Sequence, residues 1–80
     1  DSDLVMLRAA IEDRRTADVL RSAHRIKGAA LTVGARPMAR VAQGLEDAAG
    51  LGTEPDWDAL AGLTSELEAA LTSAAAAVTA

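Results

Sequence analysis

Apolar residues recur every three or four positions through most of this 80-residue chain, the spacing that gathers them on one face of an α-helix. Four stretches show this pattern, and short segments containing Gly or Pro separate most of them. Amphipathic helices joined by connections of a few residues pack as antiparallel neighbours. We therefore predict an all-α fold, an antiparallel up-and-down four-helix bundle.

The first predicted helix runs from about Asp3 to Arg14, and the second from an N-cap at Thr16 to about Val33. Gly34 follows as the C′ residue that ends the second helix. The two apolar stripes consist of Leu4, Leu7 and Ile11 in the first helix and of Val19, Ala23, Ile26, Ala30 and Val33 in the second. At 100° per residue the second set spans roughly 80° of arc, which predicts one buried face.

Pro37 suits the first turn of a third helix, because its missing N–H is not needed there. Gly50-Leu51-Gly52 is expected to end that helix, with Leu51 making the apolar contact of a Schellman turn. Either Thr53 or Asp56 caps the fourth helix, and the sequence does not choose between them. The predicted stripes are Met38, Val41, Ala42 and Leu45 in the third helix and, after an anchoring Trp57, Leu60, Leu63, Leu67, Leu71, Ala74 and Val78 in the fourth.

Composition limits the chain to a single small domain without covalent cross-links. There is no cysteine, so neither a disulfide nor a thiolate metal site is available. No stretch is apolar for the roughly 18 residues that a membrane span needs, and no signal peptide precedes the helices. Because the chain begins at Asp1 rather than Met, we expect residues 1–80 to be one domain of a longer cytoplasmic protein.

The formal net charge of −4 is distributed unevenly along the chain. Residues 19–45 contain no acidic side chain but five basic ones, which are Arg21, Arg25, Lys27, Arg36 and Arg40. Such a segment predicts a basic surface that favours an acidic partner or a bound phosphate. The low overall pI of about 4.7, without a recognisable DNA- or RNA-binding motif, argues against nucleic acid.

His24 is the only histidine, and Lys27 and Gly28 share its helical face at the third and fourth following positions. Helical geometry places His24 about 135° from the centre of the apolar arc, with Leu20 and Leu31 between them. A neutral imidazole can accept a phosphoryl group, and a lysine can offset the charge on its oxygens. Gly28 costs about 1 kcal/mol relative to Ala, which close approach of a partner would offset. One histidine without cysteine predicts no metal site.

The run from His24 to Ala30 reads His-Arg-Ile-Lys-Gly-Ala-Ala, and Val33-Gly34-Ala35 and Leu45-Glu46 follow it. This pattern resembles that of the histidine-containing phosphotransfer (HPt) domains: histidine, lysine at +3, glycine at +4, a glycine closing the helix, and Leu-Glu on the next helix. The resemblance covers roughly residues 19–49 position by position. It implies a helical bundle that carries a phosphoryl group in a bacterial multistep phosphorelay, with no kinase activity of its own.

The resemblance also implies a role for each matching residue. His24 is the expected phosphoacceptor, through Nε2, Lys27 helps to hold the phosphoryl group, and Gly28 leaves room for docking. Glu46 matches a glutamate that is hydrogen-bonded to the histidine in the chemotaxis-kinase version of the domain. Gln43, one turn earlier, is an alternative for that orienting role.

The implied partners are a receiver domain in the same hybrid sensor kinase and a downstream response regulator. Mg²⁺ is expected on the receiver, and no cofactor in this domain. Similar domains end unorthodox sensor kinases, so the parent chain is expected to be of that class, with no direct membrane contact by this domain. The residues expected to contact the partner are Leu20, Arg21, Arg25, Leu31, Arg36 and Arg40.

Plainer interpretations stand beside these. A scaffold that binds a partner through its helix faces, and carries no phosphate, would need none of the roles above. In that case Gly28 would serve close helix packing, and Glu46 would only solvate its helix. Leu20 and Leu31 would then form the edge of the core.

Overall fold

A computed structural model of the chain describes the backbone of residues 2–79 and the side chains of residues 2–73. Its helices are α1 (Ser2–Glu12), α2 (Thr16–Thr32), α3 (Arg36–Ala49) and α4 (Trp57–Thr79). Each helix packs on the next one, and α4 closes the ring against α1, while the diagonal pairs are not in contact within the described part. The predicted all-α four-helix bundle is confirmed, with the neighbour order of an up-and-down topology.

Every helix contributes fully buried side chains to one central core. Leu7, Val19, Leu45, Leu60 and Leu67 are its largest members. Buried alanines surround them on the two middle helices, and these are Ala23, Ala30, Ala39, Ala42 and Ala49. Small side chains allow α2 and α3 to lie close together, which brings residues at the edges of their contact within reach of one another.

The turn between α2 and α3 has the predicted glycine. Gly34 adopts a left-handed backbone with φ of 76°. Its N–H donates to the Leu31 carbonyl at 3.2 Å, and the Ala35 N–H donates to the Ala30 carbonyl at 2.8 Å. These two bonds define a Schellman motif. Pro37 then lies in the first turn of α3, as predicted.

The turn between α1 and α2 differs from the prediction. Helix α1 ends at Glu12, because Arg14 takes the left-handed position (φ 53°) of a second Schellman turn. Only Arg15 is then left before α2, and its carbonyl accepts the first helical N–H groups. The prediction of Thr16 as N-cap is therefore wrong, since Thr16 is already the first helical residue and Arg15 is the cap.

Two predicted apolar contacts are also wrong. Val33 is 78% exposed, because it lies after the last residue of α2 and has left the helical face. Leu51 is 70% exposed. Gly50 ends α3 with an ordinary φ of −90°, so the chain does not turn back there as a Schellman motif would require.

The start of α4 decides between the two candidate caps. The Asp56 carboxylate accepts the Ala59 N–H at 3.1 Å, while Thr53 is exposed. Trp57 is half-buried against the core and donates its indole N–H to Glu54 at 2.6 Å. In the predicted stripes, Leu63 and Leu71 of α4 and Met38 and Val41 of α3 are half-buried, and the side chains of Ala74 and Val78 lie outside the described residues.

Asp56→Ala should lower the free energy of unfolding by about 1 kcal/mol, because it removes the acceptor for the Ala59 N–H. Thr53→Ala is the matched control and should leave it within about 0.5 kcal/mol of the parent. Urea unfolding followed by circular dichroism measures both values. Equal losses for the two variants would contradict the assignment of Asp56 as the cap.

Candidate functional site

His24 lies on the outer surface of α2, away from the core. Its side chain is 75% exposed. The helical face opposite carries Val19, Ala23, Ile26 and Ala30, which are all buried. The position of His24 predicted from the helical angle therefore agrees with the structure, and the imidazole is open to a large partner.

Glu46 on α3 reaches both the imidazole and the lysine on α2. Its Oε2 lies 3.5 Å from Nδ1 of His24, and its Oε1 lies 3.1 Å from Nζ of Lys27. One turn earlier on α3, Gln43 faces Lys27, as expected for antiparallel helices in register. A single carboxylate is thus shared by the two groups that the motif places one turn apart.

The Glu46 carboxylate is largely removed from water. Its side chain is only 19% exposed. Oε1 is buried and makes no hydrogen bond with any residue that the structure describes, so its contact with the Lys27 ammonium is that of an ion pair. A carboxylate in such a position depends on nearby positive charge, since burial of an unpaired charge is costly. The interpretation of Glu46 as a merely solvated residue does not fit this placement.

Lys27 is held from a second side by an amide. Its Nζ donates to Oε1 of Gln43 at 3.0 Å, and Nε2 of Gln43 donates to Oδ1 of Asp47 at 2.8 Å. The bond to Asp47 orients the amide so that its oxygen faces the lysine. Gln43 therefore orients Lys27 in this structure, while the carboxylate nearest to His24 is that of Glu46. The role of Asp47 was not predicted from the sequence, although a Gln–Asp pair four residues apart on a helix is a known stabilising pair.

Gly28 faces open space on the exposed side of α2. A Cβ built on it would meet no atom within 4 Å. The interpretation of Gly28 as a residue needed for close helix packing is therefore wrong for this bundle. Gly44 on α3 is different, because its Cβ would lie 3.8 Å from a methyl group of Leu63, which is ordinary packing distance.

The two leucines beside His24 have different environments. Leu31 is 59% exposed and offers an apolar surface to a partner. Leu20 is half-buried and packs against the core, so its contribution to the surface is smaller. The interpretation as core edge thus applies to Leu20 and not to Leu31.

The predicted basic residues are partly compensated by carboxylates. Arg21 contacts Asp18 at 2.8 Å, and Arg25 contacts Asp3 at 3.4 Å. In contrast, Arg36 and Arg40 make no ion pair with any described side chain. They line an open groove of about 300 Å³ between α2 and α3, together with Lys27, Leu31, Ala39 and Gln43.

No group of three or more His, Cys, Asp or Glu side chains among the described residues is arranged to hold a metal ion. None of the helices, as far as they are described, is long and apolar enough to cross a membrane.

A comparison with protein-family models matches residues 1–77 to the Hpt domain. The chain belongs to the Hpt domain family. Hpt domains are phosphocarrier modules of phosphorelays, without catalytic activity of their own, and they interact with receiver domains and response regulators. Comparisons with curated proteins and with solved structures find no match. The motif around His24 thus lies in an Hpt domain that extends over nearly the whole chain.

Gly28→Ala should raise the free energy of unfolding by about 0.5–1 kcal/mol, because alanine favours the helix and its Cβ has room. The midpoint of thermal unfolding should rise by about 2–8 °C. Gly34→Ala, the contrasting control, should lower the stability by about 1–2 kcal/mol because of its left-handed backbone. Destabilisation by Gly28→Ala would contradict the open environment described for this glycine.

Proposed function

We propose that His24 of this Hpt domain accepts a phosphoryl group from an aspartyl phosphate on a receiver domain and passes it to an aspartate on a response regulator. The observation that carries the proposal is the exposed imidazole whose Nδ1 faces the Glu46 carboxylate. A carboxylate on that side favours the tautomer with the proton on Nδ1. The lone pair then belongs to Nε2, the ring nitrogen on the other side.

Transfer to His24 forms a bond between Nε2 and phosphorus as the bond between phosphorus and the aspartate oxygen breaks. The lone pair of Nε2 supplies the electrons of the new bond, and the receiver regains its carboxylate. The proton stays on Nδ1, so the ring becomes positively charged and Glu46 offsets that charge. Passing the group to the second receiver reverses these changes. No proton has to leave the imidazole in either step.

Lys27 is assigned to the phosphoryl oxygens. Its side chain is 22% exposed, and its Nζ contacts Glu46 and Gln43 in the unphosphorylated domain. Lysine side chains are flexible, so the ammonium can turn outward along the helix surface toward a group on His24, one turn away. Gly28 leaves this region free of side-chain atoms, which suits the approach of a second protein.

The receivers are assigned the Mg²⁺ and most of the remaining groups needed for transfer, since phosphoryl transfer depends on charge compensation and alignment. Leu20, Leu31 and the two arginines without an ion pair among the described side chains, Arg36 and Arg40, are assigned to the docking surface, whereas Arg21 and Arg25 are paired within the domain. We place the domain in a hybrid sensor kinase, on the cytoplasmic side. A scaffold without phosphate is the alternative function, and the experiment below separates the two.

Incubation of the domain with a panel of receiver domains, loaded from radiolabelled acetyl phosphate, should transfer label to it. The label should be stable to alkali and labile to acid, as expected for a phosphoryl group on nitrogen, and His24→Gln should abolish it. Circular dichroism of His24→Gln should match the parent, because the side chain is exposed. Label that persists in His24→Gln, or no transfer from any receiver, would favour the scaffold.

Lys27→Met should slow the transfer by about 10- to 150-fold, which corresponds to the roughly 1.5–3 kcal/mol of a hydrogen bond to a charged group. Lys27→Arg should recover much of the rate, because it keeps the positive charge. Rapid-quench measurement of labelled His24 gives the rates, and thermal unfolding of both variants checks the fold. A parental rate in Lys27→Met would remove this lysine from its assigned role.

A further inference from the structure

The four arginines near His24 form two pairs that differ in their charge environment. Arg21 and Arg25 each contact a carboxylate of the same chain, at 2.8 and 3.4 Å. Arg36 and Arg40 are exposed and contact no carboxylate among the side chains of residues 2–73. An ion pair within the chain cancels much of the field that its cation presents to a partner. The second pair therefore contributes most of the uncompensated positive charge on this face.

The uncompensated pair lies to one side of the imidazole. Glu46 faces His24, and Arg40 and Arg36 precede Glu46 on α3 by six and ten residues. At 1.5 Å per residue they lie about 9 and 15 Å along the helix, toward the Gly34 turn. In the other direction from His24, Asp47 and Asp18 are the nearest charged neighbours on α3 and α2 beyond Glu46 and Arg21. Positive charge on this face thus increases from His24 toward Gly34.

The grooves on the two sides of α2 show the same contrast. The groove between α2 and α3 contains Arg36 and Arg40 together with the exposed Leu31, and has a volume of about 300 Å³. The groove between α1 and α2 has about 190 Å³ and contains Arg21 and Arg25. Arg15 also lines that second groove, and it shares Asp18 with Arg21, while Arg25 contacts Asp3. Each arginine of the second groove therefore has a carboxylate partner. Both grooves contain an exposed apolar side chain, which is Leu31 in the first and Met6 in the second. Of the two grooves, the first alone contains cations that pair with no described carboxylate.

We infer that a receiver domain docks asymmetrically, covering the groove between α2 and α3 from His24 toward Gly34, with Arg36 and Arg40 as the residues that attract it. This inference rests on the proposed function. A receiver that holds Mg²⁺ beside its phosphorylated aspartate needs a cluster of carboxylates at that site. Its face toward His24 is therefore acidic, which matches the side of the imidazole where positive charge is uncompensated. Leu31 supplies the apolar contact between the two.

The experiment compares two double variants in transfer from the receivers that label His24. Arg36→Gln with Arg40→Gln should lower the second-order rate by about 5- to 10-fold at low ionic strength, and should weaken its dependence on salt. Arg21→Gln with Arg25→Gln, the matched control, removes the same formal charge and should change the rate less than about twofold. Equal effects of the two pairs, or a larger effect of the control, would overturn the inference.

A binding footprint keeps this test separate from that of the proposed function. Unphosphorylated receiver is titrated into isotope-labelled domain, and amide chemical shifts are recorded. Residues 27–40 should shift more than residues 3–21, whether or not transfer occurs. Binding with this footprint but without transfer would contradict the proposed carrier function and would still support the docking surface. Transfer accompanied by a footprint on α1 would support the carrier function and overturn the docking surface. If no receiver of the panel either binds the domain or transfers label to it, both proposals are overturned.

Discussion

The antiparallel register of α2 and α3 is the constraint on which the site depends. Leu45 is fully buried, and this fixes the rotation of α3 so that Glu46, the next residue, lies at the edge facing α2. Ile26 does the same for α2 and leaves His24 outside. Since one residue corresponds to about 100° of rotation and 1.5 Å of rise, a shift of a single position would separate the carboxylate from the imidazole. Core packing thus sets the geometry of a surface site.

The carboxylate of Glu46, which is largely removed from water, connects that geometry to charge. A carboxylate withdrawn from water loses several kcal/mol of solvation unless positive groups replace it. Lys27 supplies a full charge at 3.1 Å, and His24 presents Nδ1 at 3.5 Å. Gln43, itself oriented by Asp47, holds the lysine in place. The exposed imidazole is therefore held beside α3 by its contact with Glu46, whose other oxygen pairs with Lys27.

Structural features that depend on residues within one turn of the chain could be predicted from the sequence. Gly34 and Pro37 mark the connection between α2 and α3 correctly, because their backbone preferences are local, and helical spacing placed His24 outside the core. The wrong predictions concern the connections, where the path of the chain between two helices determines which residue caps a helix and which side chains become buried. Arg15 rather than Thr16 is the N-cap of α2, because Arg14 adopts a left-handed backbone conformation. Leu51 is exposed because Gly50 does not adopt that conformation.

Contacts between residues that are far apart in the sequence could not be predicted from one sequence alone. The ion pair of Arg25 with Asp3 joins residues that are 22 positions apart. Because it compensates the charge of Arg25, the arginines of the basic segment are not equivalent as sources of positive charge. Periodicity gives the face on which each residue lies, but the axial offset between two helices follows from how their side chains interlock. The resemblance to HPt domains suggested Glu46, yet the sharing of its carboxylate with Lys27 needed coordinates.

That sharing bears on how a carrier can release what it binds. Interactions that stabilise the free and the loaded forms equally do not trap the phosphoryl group on the histidine. In the free form Lys27 is already paired, so a contact with phosphoryl oxygens replaces existing contacts and adds less than an unpaired lysine would. In the transfer proposed for His24, Glu46 would in turn gain a cationic ring at Nδ1 as the lysine turns away. Under that proposal, one carboxylate that exchanges its positive partner would keep its charge compensated in both forms, which would hold their stabilities close together.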